Sequence, residues 1–168
     1  MKTNRSFQSA FVFLLALFAT VVLHAEDKPF EGDTLGRLSL GQKWEDALKV
    51  LGKPESKGVS THWEATGEWV QDVEYPAQGL SLKVASKKKA GPQTVLMITA
   101  AAPCSLATGR GIKIGSAESE VKKAYKDVLN AEDSEAGKTL VAGSVYGGVI
   151  FTLTKGKVSE IFIGAAAE

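Results

Sequence analysis

Two stretches of the chain share one pattern of apolar and polar positions. In Gly111–Tyr125, Ile112 and Ile114 alternate with Lys113, as along a short half-buried strand, and Gly115 breaks the alternation. Ser116 is a suitable N-cap, because its hydroxyl can accept from a free backbone N–H of the first turn. Glu118 and Glu120 fall where the helix dipole is positive. Val121, Ala124, Tyr125 and Val128 then recur at helical spacing and predict one buried face. In Gly36–Pro54, Leu38 and Leu40 alternate with Ser39, Gly41 breaks the run, and Trp44, Ala47, Leu48 and Leu51 form the corresponding face. Gly52 suits a left-handed helix end, and Pro54 stops continuation.

After each predicted helix the period changes to two. Trp69, Val73 and Tyr75 fall on one side of a predicted strand, followed by Leu80, Leu82 and Val84 and then by the more buried TVLMITAAA. Downstream, KTLVAGSVY leads to Val149, Phe151 and Leu153, a tight TKGK turn, and VSEIFIGAAA. The pattern therefore predicts an α+β fold of two tandem units. Each would be a helix followed by an antiparallel β-meander, the two sharing one sheet or core. The boundaries expected are 26–104 for the first unit and 105–168 for the second.

Residues 1–25 read as something other than fold. Lys2 and Arg5 precede a charge-free apolar run from Ala10 to Leu23, and His24-Ala25 meets the charged Glu26-Asp27-Lys28. That is the order of a secretory signal peptide, with cleavage expected after Ala25. The run is shorter than the ~20 residues that span a bilayer as a helix. An exported protein, periplasmic or extracellular, is expected, with no stable membrane insertion after cleavage.

Removing Lys2 and Arg5 from the 20 basic residues leaves 18 against 19 acidic ones. So balanced a charge gives no support for a nucleic-acid partner. Cys104 is alone, so no intramolecular disulfide can brace the fold. Its small and apolar neighbours favour a buried thiol.

The two quoted stretches, GIKIGSAESEVKKAY and LSLGQKWEDALKVLGKP, resemble the strand–Gly–helix motif of the SmpA/BamE-type outer-membrane assembly lipoproteins. They also resemble the β-lactamase inhibitor protein family, which carries two such units in tandem. The resemblance implies a secreted, bacterial binding module whose exposed sheet grips another protein. The chain departs from it in having no lipidated cysteine after the apolar run and no paired cysteines bracing the units. No binding residue is carried over.

Motifs for catalysis are sparse. There is no Gly-x-Ser-x-Gly elbow and no His-Glu-x-x-His, and one cysteine with one histidine after residue 25 makes no ordinary zinc site. Gly137-Lys138-Thr139 imitates the end of a phosphate loop, but Glu132 stands where its first glycine belongs. Gly109, Gly111 and Gly115 are wrongly spaced for a dinucleotide turn. No cofactor, no metal and no catalytic residue is expected.

Local chemistry concentrates in STHWEATGEWV, Ser60–Val70. Trp63 and Trp69 there suit a contact patch, since tryptophan is enriched at binding hot spots. They suit still better a hairpin whose rings plug the ends of the core. Tyr75 and Tyr146 precede two strands at similar places and are either aromatic contacts or core closures. Trp63, Trp69, Tyr75 and Tyr146 are the candidate binding residues, and another protein is the expected partner. The alternatives are a small secreted hydrolase-like enzyme using His62 with Glu64 or Glu68, and a purely structural envelope protein. Lys87, Lys88 and Lys89 read as a solvated turn able to meet an acidic partner.

Overall fold

The computed structural model describes residues 33–166, so the proposed signal segment lies outside the described residues. The chain forms α1 (Trp44–Leu51), β1 (Ser56–Lys57), β2 (Thr61–Trp63), β3 (Glu68–Tyr75), β4 (Leu80–Ser86) and β5 (Thr94–Ala101). It continues with α2 (Glu118–Ala124), β6 (Leu129–Glu135), β7 (Thr139–Ser144), β8 (Gly147–Thr154) and β9 (Lys157–Gly164). All nine strands join one antiparallel sheet, ordered β1-β3-β4-β5-β9-β8-β7-β6, and β2 shares the outer edge of β3 with β1.

This corrects the expected fold class. The molecule is not an α+β arrangement of two helix-then-meander units. Among the described residues it is mostly one continuous antiparallel sheet, and the two α-helices there are only 8 and 7 residues long. The sheet is continuous because β5 and β9, the last strands of the two expected units, pair with each other: Ile98 faces Ile163 and Ala100 faces Ile161. Pairing them places the inward side chains of both strands in a single core with no free edge between them.

The strands expected before the helices are also absent. Leu35 and Leu38 exchange backbone hydrogen bonds at 3.0 Å across a tight turn, with Gly36 at φ +58. Thr108 and Ile112 close a similar turn, with Gly111 at φ +85. Positive φ at these glycines is incompatible with an extended strand. The repeated glycines instead seat the helices. Gly41 N donates to Val95 O, Val95 N to Gln42 O and Trp44 N to Gln93 O. At α2, Gly115 N donates to Val158 O, Val158 N to Ser116 O and Glu118 N to Gly156 O. Three otherwise orphaned donors at each helix start or strand are thereby satisfied.

Ser116 is not the cap of α2. Ala117 takes that position, and Glu120 Oε2 accepts from Ala117 N at 2.6 Å, while Ser116 Oγ accepts from Lys113 N at 3.3 Å. α1 ends where Gly52 adopts φ +80 and donates its N–H to Leu48 O.

Both helices cover one face of the sheet. Trp44, Ala47 and Leu51 of α1, and Val121 and Tyr125 at α2, join Val73, Leu82, Ile98, Phe151 and Ile161 in one buried cluster. On the opposite face Val70, Ala85 and Val141 are buried outside that cluster, while Met97, Ile150 and Phe162 are only half-buried. Cys104 is buried, 6% exposed.

Candidate functional site

The hairpin β2–β3 decides where the tryptophans go. His62 pairs with Trp69, and Trp63 with Glu68. Along β3, Trp69 shares its parity with Val73 and Tyr75, which face the helices. Trp63 therefore lies on the other face. The two tryptophans do not form one patch: the sheet separates them. On the helix side, the His62 and Trp69 ring centroids are 5.3 Å apart, and Lys89 Nζ lies 5.1 Å from the Trp69 ring. On the open side, Lys83 Nζ lies 5.7 Å from the Trp63 ring and pairs with Asp72 Oδ1 at 2.5 Å.

Tyr75 is 1% exposed, and its hydroxyl donates to Gly52 O at 2.8 Å. Burial holds that phenol above its usual range. It closes the core below α1. Tyr146, on the β7–β8 turn, is 70% exposed.

His62 Nδ1 does meet Glu64 Oε1, at 3.0 Å. The Glu64 side chain is 92% exposed, so water screens the pair and no enclosure holds it for acid–base work. Among the described residues, no group of three or more His, Cys, Asp or Glu is gathered to hold a metal. Among them, too, no helix is long and apolar enough to cross a membrane.

The open face carries a surface that inspection of aromatic residues alone missed. A cross-strand row runs Ser81, Thr99, Phe162, Ile150 and Val141, from β4 to β7. Beside it a bulge between Lys83 and Val84 leaves Leu96 and Met97 together between inward Val95 and Ile98. Leu96, Met97, Ile150 and Phe162 are half-buried and lie outside the core cluster. The sequence signal was available. Val149-Ile150-Phe151 and Ile161-Phe162-Ile163 are apolar at both parities, so neither face of these strands is polar.

No family model, curated protein or solved structure matches this chain.

Proposed function

We propose that the chain is an exported protein-binding module that docks its partner on the open face of the sheet. The observation that carries this reading is the group of half-buried apolar side chains at the sheet centre, Phe162 and Ile150 in one cross-strand row with Leu96 and Met97 beside it. A contiguous apolar patch on an otherwise polar surface is what a protein interface needs at its centre. Trp63, with Lys83 and Asp72, supplies the aromatic and charged margin. An inhibitor or an accessory protein of envelope assembly is the role the sequence resemblance suggests.

The test is affinity capture from an envelope extract of the source organism with residues 26–168 as bait. Three folded variants run beside it: Phe162→Lys/Ile150→Lys, Trp63→Ala and Trp69→Ala. The expected result is one protein retained by the native chain and by Trp69→Ala, weakened by Trp63→Ala and lost with the double lysine variant. Retention indifferent to the open-face variants, or no specific retention at all, refutes the reading.

A further inference from the structure

A second surface lies where α1 stops. A wide-mouthed cavity of about 620 Å³ opens between Leu48 of α1 and the turn that leads into β1, with Pro54, Lys53 and Lys57 on its rim. That volume falls within the range of small-molecule sites.

The charges on this rim are uneven. Glu55 also lines the cavity, but its Oε1 accepts from Ala77 N at 3.0 Å and is committed to the turn before β4. Lys53 and Lys57 have no carboxylate partner among the described residues. Lys57 Nζ instead stands 5.2 Å from the ring of Trp44, one helical turn before Leu48 on the same side of α1. Trp44 Nε1 is itself buried with no hydrogen-bond acceptor among the described residues. The rim thus holds two cations without a carboxylate partner beside an apolar wall, and Lys57 ties it to the Trp44 ring.

The C-terminus of a helix ordinarily opposes an anion. Here that opposition is weakened at Leu51, whose otherwise orphaned carbonyl accepts from Gln78 Nε2 at 3.0 Å.

We infer that this cavity binds a small amphipathic carboxylate, with its apolar body against Leu48 and Pro54 and its carboxylate between the Lys53 and Lys57 ammonium groups. The ligand class is a free alkyl carboxylate, whose apolar chain and single charge match one apolar wall and one cationic rim. The site is on the helix side of the sheet, away from the open face, so its fate is independent of the docking reading.

The test is titration of the full chain with decanoate below its micelle concentration. The readout is the indole N–H resonance of Trp44 in ¹H–¹⁵N spectra, with heat of binding measured in parallel. Decanol is the uncharged control, and Lys53→Gln/Lys57→Gln, two exposed substitutions, removes the cations. The expected result is a saturable shift of the Trp44 resonance. Affinity should be at least tenfold weaker for decanol and in the double variant. Absence of a saturable shift overturns the inference. So does equal affinity for decanol, or equal affinity in the double variant.

Discussion

The Tyr125 hydroxyl donates to Asp33 Oδ2 at 2.6 Å, joining the residue that ends α2 to the first described residue of the chain. The same hydroxyl accepts from Thr108 Oγ1 at 2.8 Å, and the ring stacks at an angle on Phe151, 5.0 Å between centroids. Arg110 lies over the ring, 4.9 Å from its centroid, and reaches Asp127 and Ala124 O. A polar knot at one end of the core thereby holds the segment preceding α1, the turn preceding α2 and the start of β6.

That knot sets an alkaline limit. Burial, and then the hydrogen bond to Asp33, hold the Tyr125 phenol well above the ordinary tyrosine range. Below pH ~10 both native and unfolded chains keep the proton, and its contribution is fully present. Above that, the unfolded chain releases the proton while the native chain retains it, so stability falls as pH rises, by about 1.4 kcal/mol per unit for one such group. Urea midpoints measured from pH 8 to 11.5 should fall steeply above 10 for the native chain and less so for Tyr125→Phe. At pH 7 that variant should itself cost about 2 kcal/mol, since it removes one buried hydrogen bond each from Asp33 and Thr108. A slope unchanged by the substitution would assign the alkaline transition to another group.

Gly79 is the glycine the fold can least replace. It sits at φ +64, and a Cβ there would lie 2.2 Å from Ala101 O and 2.5 Å from Cys104 N. Both obstacles are backbone, so neither can rotate away. Gly79→Ala should cost more than ~3 kcal/mol. Gly67, at φ +69 with nothing within 4 Å of its would-be Cβ, should cost about 1 kcal/mol on the same change, the left-handed backbone penalty alone. Equal losses in urea titrations of the two variants would show that the close approach at Gly79 is not limiting.

The strands were legible where alternation was strict. Leu80, Leu82 and Val84 point inward as the pattern required, and so do Val149, Phe151 and Leu153. Tyr75 showed its place by parity with Val73. What the pattern could not carry was pairing between distant strands: nothing local in TVLMITAAA or VSEIFIGAAA says that they lie side by side. The edge strands escaped for a different reason. β1 and β2 are two and three residues long, and β6 is almost wholly polar, with its register broken between Asn130 and Glu135. Leu38 and Leu40 misled because a turn buries Leu35 and Leu38, three apart, in a stretch too short to distinguish that from period two. Trp63 and Trp69 looked like neighbours because they are close in sequence. A hairpin that places His62 opposite Trp69 puts Trp63 on the opposite face.

Phe151 and Phe162 test the two faces against each other. Phe151 is fully buried against the helices, and Phe162 lies half-buried on the open side, paired with Ile150. Phe151→Ala should lose ~3–5 kcal/mol, the transfer and cavity cost of a core aromatic. Phe162→Ala should lose about 1 kcal/mol, because its ring is not enclosed. Losses of similar size would mean that something covers the open face in solution, and sedimentation analysis would then show whether that cover is a second copy.

Cys104 gives the most direct check on the packing at the end of β5. With 6% of its surface exposed, the thiol has no path to a second chain or to a bulky reagent while the fold is intact. An aromatic disulfide reagent should therefore modify it at the rate of local or global opening, slowly in buffer and within seconds in denaturant. Non-reducing electrophoresis of the native protein should show a monomer band alone. Gly79→Ala, which pushes on Cys104 N, should accelerate labelling well beyond what its loss of global stability accounts for. If labelling of that variant instead follows global unfolding, the Gly79–Cys104 contact is not what keeps the thiol closed.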